Sequence, residues 1–211
     1  MFRNLLKPDS GLMIFMTQVT DVLFLSMFFM LGCIPVITMG ASFAALYDTV
    51  YRGFRRGEKE TWRRFLHSYR VNWKVSILPT ILFLIFVIAL GFAMIQQWNA
   101  TVLGGSSWAM FAAVAVVMVV LAGVLSLLFP MLSRFESDFT SLIRNTALLA
   151  MSNLPRTILL GILNLLVAFA CIRYIIPLFF LPAIGSLLST FLIEPMFRPY
   201  LPPSETMEAA D

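Results

Sequence analysis

The chain has 211 residues, 60% of them hydrophobic and 12% charged, with a formal net charge of +4 and a mean hydropathy of +0.89. Soluble domains are near half apolar and about a quarter charged, so this balance excludes a water-soluble globule and indicates an all-α, polytopic transmembrane bundle. The two cysteines, Cys33 and Cys171, stand in apolar surroundings without metal-ligand spacing and point to no redox compartment.

Arg3 and Lys7 stand before an apolar run, and Lys7-Pro8-Asp9-Ser10 reads as a helix start with Asp9 or Ser10 as cap. The apolar run that follows is long and more spans come after it, so it reads as a retained anchor rather than a signal peptide. The first span is expected over 12–31. Thr17, Gln18, Thr20 and Asp21 interrupt its early part, which places Asp21 near the membrane edge.

Pro35 removes a backbone donor and biases Ile34 away from helix, so the chain breaks there. Thr38 can cap a second helix over 38–51. Gly40, Ala41, Ser42, Ala44 and Ala45 are small residues that let helices approach closely inside a bilayer. Such a helix covers roughly 20 Å against a hydrocarbon core of ~30 Å. It either crosses obliquely with local thinning or forms a re-entrant hairpin with the first span.

Residues 52–74 are strongly basic. Within them an amphipathic helix begins at Thr61. Trp62, Phe65, Leu66, Tyr69 and Trp73 fall on one face, and Arg63, Arg64, His67 and Arg70 on the other. This pattern suits a helix in the headgroup plane that binds anionic lipid or docks a partner, or one that simply sets topology.

A span over 75–95 leads to a polar stretch, 96–107, bracketed by Trp98 and Trp108 as interface anchors. A span over 108–129, rich in Ala and Val, ends at Phe129-Pro130. A second amphipathic stretch follows, with Phe135, Phe139, Leu142, Ile143, Thr146 and Leu149 on one side. Pro155 suits the first turn of a span over 157–172, which carries Asn164 at mid-depth for an interhelical hydrogen bond or a substrate contact. The last span, 175–193, is shaped by Pro177 and Pro182 and ends at Glu194-Pro195. The expected division is one transmembrane domain, 1–198, and a disordered cytoplasmic tail, 199–211.

Placing both termini in the cytoplasm puts 14 of the 15 Lys and Arg residues on the inner side, leaving only Arg173 outside. The parity is then about six spans, or four plus a re-entrant pair, with two cytoplasmic amphipathic helices. Asp21, Asp48 and Glu194 fall near the cytoplasmic ends of spans, with Arg52 and Arg134 at similar depth. They either line a pathway together with Asn164 or lock helix ends as ion pairs.

Several separated motifs carry a resemblance. Cys33-Ile-Pro-Val-Ile-Thr-Met-Gly-Ala-Ser42, Phe129-Pro-Met-Leu-Ser-Arg-Phe-Glu136, Asn153-Leu-Pro-Arg-Thr157 and Phe191-Leu-Ile-Glu-Pro-Met-Phe197 occur in the order of the YesL-like family of bacterial integral membrane proteins, which the chain resembles over nearly its whole length. The resemblance implies a multi-pass protein of the bacterial plasma membrane, in a setting of carbohydrate uptake. It supplies no catalytic residues.

A single histidine, His67, and the absence of a Gly-x-x-x-x-Gly-Lys-Ser/Thr loop argue against a His-based metal or triad site and against ATP hydrolysis. The expectation is a non-enzymatic protein without cofactor that binds no nucleic acid. It would assist or regulate a carbohydrate (ABC-type) uptake system through contacts with importer membrane subunits and anionic headgroups. The alternative is a small solute transporter or channel, acting alone or as a homo-oligomer.

Overall fold

The computed structural model describes residues 11–55, 61–105, 107–135, 138–174 and 176–200. The expected cap at Lys7–Ser10, and residues 201–211 of the tail, lie outside them. Among the described residues there are eight α-helices: α1 (Gly11–Cys33), α2 (Met39–Val50), α3 (Thr61–Asn72), α4 (Ile77–Val102), α5 (Trp108–Arg134), α6 (Phe139–Ser152), α7 (Leu154–Arg173) and α8 (Leu181–Phe197). Four segments, Met16–Cys33, Ile77–Val102, Trp108–Arg134 and Leu154–Arg173, are long and apolar enough to cross a membrane. At 12 and 17 residues, α2 and α8 are shorter.

The helix α2 sits at the centre. Of its residues from Gly40 to Val50, only Phe43 is not buried. One side of it, through Ala44 and Tyr47, joins a core built from α5, α6, α7 and α8, with Leu128, Leu142, Leu160 and Phe197 among its members. The other side, through Ala45, Leu46 and Val50, packs on Leu25 of α1, Phe65 of α3 and Ala183 of α8. Small residues at Gly40, Ala41 and Ser42 are what allow this. A Cβ at Gly40 would collide with the Thr80 hydroxyl and the Phe129 ring.

The break before α2 falls at Ile34-Pro35, as the proline dictates, followed by a 3-10 turn at Val36–Thr38. Thr38 precedes α2 without capping it. Its hydroxyl turns back and donates to the carbonyls of Gly32 (3.0 Å) and Pro35 (2.9 Å), tying α2 to the end of α1. After α2 the chain passes through a π-helical turn at Tyr51–Arg55.

Helix α3 runs alongside α1 and opposite to α2. Thr61 and Trp62 lie near Asp21, the Phe65 ring is 6.1 Å from Phe28, and Tyr69 lies against Gly32. Its pairing with α2 is extensive. It is therefore one layer of a three-helix packet.

Three other boundaries differ from expectation, the first being the end of α5, which continues through Pro130 to Arg134. The polar stretch after residue 95 is not a loop at first, because α4 continues to Val102 before turning at Gly104, whose φ is 77°. Glutamine is a good helix former, and its polarity decides water exposure rather than backbone state. Beyond the turn, Ser107 caps α5, and Trp98, Trp108 and Phe111 cluster edge to face across it. The last span does not begin at 175. Pro177 lies in a 3-10 turn, Ile176–Phe179, and α8 starts at Leu181 and continues past Pro195 to Phe197. The start of α8 has no cap of its own. Ser26 of α1 accepts the Ala183 N–H at 3.4 Å instead, one of the orphan donors of a first helical turn.

The most extensive helix pairing is α5 with α7. They meet at Gly123 and Gly161, where an added Cβ would strike the opposing backbone at Thr157 and Val119. The second amphipathic stretch forms α6, which buries Leu142, Thr146, Leu149 and Ala150.

Candidate functional site

Three polar or cavity-forming places stand out, the first two of which share Tyr47. The first is a buried ionic cluster at the C-terminal end of α2. Tyr47 and Tyr51 are one helical turn apart. The end of α5 supplies Arg134 and α8 supplies Glu194. One guanidinium nitrogen of Arg134 donates to both carboxylate oxygens of Glu194, at 3.1 and 3.0 Å. The Tyr47 hydroxyl donates to Glu194 Oε1 at 2.8 Å. The Arg134 guanidinium carbon lies 4.0 Å from the centroid of the Tyr51 ring. The Arg134 and Glu194 side chains are 4% and 10% exposed. Beside this cluster, Asp48 accepts from Arg52 Nε at 2.9 Å.

This arrangement satisfies each charge with an opposite charge, hydrogen bonds or an aromatic face, which is what a buried ion pair requires. It ties α2, α5 and α8 together at one point. Of the residues singled out from sequence it contains Glu194, with Arg134 as its partner, while Asp48 pairs with Arg52 alone. Tyr47 and Tyr51 are not among the residues expected from sequence to form a site. Their spacing of four on the small-residue helix is the signal that was present.

Asp21 and Asn164 lie elsewhere. Asp21 borders a small cavity of about 180 Å³ with Phe24, Leu25, Phe28, Thr61 and Trp62. The Asn164 amide donates to Leu160 O of its own helix at 3.0 Å rather than across to a neighbour.

Asn164 does, however, face the second place, a cavity of about 350 Å³ between α2, α4, α5, α7 and α8. Its walls are mostly aliphatic and aromatic, with Phe43, Phe83, Leu125, Phe129 and Ile193 among them. Of its hydroxyls, Ser126 donates to Ala122 O (2.7 Å) and Ser189 to Gly185 O (2.8 Å), Tyr47 donates to Glu194, and Ser186 also lines the wall.

The third place is the outer face of α3. Phe65 and Ser68 are buried against the packet, while Trp62, Arg63, His67 and Arg70 are exposed, and Arg64, Leu66 and Tyr69 are half-buried. Trp73 and Lys74 lie just beyond the helix and are exposed. Arg63 lies over the Trp62 ring at 5.3 Å, and the Lys74 ammonium lies 5.8 Å from the Trp73 ring. The aromatic residues of the amphipathic pattern are thus divided, Phe65 inward and the two tryptophans outward.

No curated protein and no solved structure matches the chain. Residues 18–95, which run from within α1 to within α4 and include α2 and α3 but neither Arg134 nor Glu194, match the family described as Protein of unknown function, DUF624.

Proposed function

We propose that the chain is a YesL-like, non-enzymatic membrane protein that assists or regulates a carbohydrate (ABC-type) uptake system. The YesL-like proteins belong to the DUF624 family, and the motifs around Pro35, Pro130, Pro155 and Glu194 support that finer placement. In this reading the protein is a multi-pass component of a bacterial plasma membrane with both termini in the cytoplasm. It has about six crossings when α2 and α8 are counted with the four longer helices.

The observation that carries the reading is the way α3 is held. Phe65 locks it to α1 and α2, and its basic, tryptophan-rich face is left outward. A rigid element presenting Trp62, Arg63, Arg70 and Trp73 suits importer membrane subunits or anionic headgroups. The ionic cluster serves as a helix lock, because its charges are already engaged with one another. The large cavity is not built for a sugar, which needs many hydrogen-bonding side chains around its hydroxyls. That cavity favours the second reading, a small transporter or channel, with an apolar solute rather than a sugar as its cargo.

Sugar uptake in a deletion strain separates the two. If α3 docks the importer, Arg63→Glu with Arg70→Glu lowers uptake well below Asp21→Asn or Asn164→Ala, at equal protein level. A transporter of an apolar solute leaves sugar uptake unchanged in all of these variants. Uptake lowered by Asp21→Asn or Asn164→Ala but not by the charge reversals on α3 overturns both readings.

A further inference from the structure

We infer that the cavity between α4, α5, α7 and α8 is a binding site for a single hydrocarbon chain of a membrane lipid. The proposal stands on the cavity alone and holds whether the protein acts as an accessory or as a transporter.

The size and shape come first. On α5 the lining runs from Met118 to Pro130, and on α8 from Pro182 to Ile193. At 1.5 Å per residue these are about 18 and about 16 Å of helix. The cavity is therefore elongated along the helices, and its length matches the ~15 Å depth of one leaflet of a hydrocarbon core. Its volume of about 350 Å³ is more than twice the ~150 Å³ of an apolar cavity that stays dry and takes up benzene.

The lining chemistry comes second. The hydroxyls of Ser126 and Ser189 and the amide of Asn164 donate to carbonyls of their own helices, and the Tyr47 hydroxyl donates to Glu194. Those donors are spent before any ligand arrives. What remains is a wall that is apolar except at Ser186, which selects a chain and is indifferent to the headgroup.

The entrance comes third. Helices α4 and α7 each pack on α5, which leaves α5 as the floor of a cleft between them. Val87 on α4 and Ala168 on α7 line the cavity and are also exposed. The cleft thus opens sideways, between helices apolar enough to cross a membrane. The surrounding hydrocarbon is the phase that meets it, so the occupant is a lipid chain arriving laterally.

Photolabelling tests this. Protein reconstituted into phosphatidylcholine vesicles with a trace of phosphatidylcholine bearing an acyl-chain diazirine is irradiated, and the adducts are mapped by peptide mass spectrometry. The expected adducts fall on Ala122, Ser126 and Asn164. They are lost in Ala122→Phe, which fills the cleft from α5, and in Ser186→Leu, which fills it from α8. They persist in Gly91→Leu, because Gly91 has open space around it. Size-exclusion profiles and helical circular dichroism matching the parent confirm that each variant is folded. Adducts confined to outward residues such as Ile85 and Ile88, or cleft adducts unchanged by both filling variants, overturn the proposal. Lipid extracted from the purified protein then names the source. A phospholipid and a polyprenyl phosphate both carry the expected chain. A protein that retains neither and shows no cleft adduct overturns it.

Discussion

At the scale of single residues, the strongest commitment in the molecule is the Glu194 carboxylate, gripped by Arg134 and Tyr47 with little solvent access. Removing one member of a buried ion pair leaves the other charge uncompensated and costs about 3–5 kcal/mol. Glu194→Gln is therefore expected to lower stability by that order. Tyr47→Phe, which removes one hydrogen bond, costs about 0.5–1.5 kcal/mol. Asp48→Asn costs less than about 1 kcal/mol, because Arg52 is 35% exposed and its pair is screened by solvent. Denaturant titration in mild detergent ranks the three, and a Glu194→Gln midpoint above that of Tyr47→Phe contradicts the account. The sequence marked Glu194 and Arg134 as charges at helix ends. It could not pair them, because they are 60 positions apart on helices whose approach is set by the whole bundle.

At the scale of elements, the decisive contacts involve glycines as much as large side chains. Gly161→Val drives a branched side chain into the backbone of α5, and overpacking of that kind cannot be relieved by rotamer changes. The expected result is loss of monodisperse protein on size exclusion. Gly91→Ala, in open space on α4, is expected to gain up to about 1 kcal/mol through helix propensity alone. A folded, stable Gly161→Val protein would refute the crossing described for α5 and α7. Much of the element pattern was legible, because apolar length and prolines are local signals. The Pro35 break and the small-residue face of α2 follow from spacing, whereas the aromatic face expected of α3 is divided, with Phe65 inward and Trp62 and Trp73 outward. The extension of α4 and the late start of α8 do not follow from spacing: polarity does not stop a helix whose backbone hydrogen bonds are completed, and Pro177 holds the chain in a 3-10 turn where apolar length alone predicts helix.

At the scale of the whole molecule, the all-helical class and the membrane setting were plain from composition, while the arrangement around α2 was not. Periodicity says which face of a helix is apolar. It does not say which neighbour covers that face, and in a hydrophobic environment lipid is always a competing neighbour. The cleft was invisible for the same reason, since it arises where α4 and α7 each choose α5. The central position of α2 bears on how the protein is made. During synthesis α2 emerges before most of the helices that finally enclose it, including α5 and α8. A 12-residue segment carrying Ser42, Asp48 and Thr49 is too short and too polar to be held as an independent crossing. It must wait, incompletely sheltered, until the last helix arrives, so completion of the fold is timed by the end of the chain. A cysteine at Ala45, with Cys33 and Cys171 replaced by alanine, reads this out. It is expected to react with maleimide in a chain stopped at Tyr174 and to be protected in the full-length protein, whereas equal protection in both would show that α2 is sheltered before α8 exists.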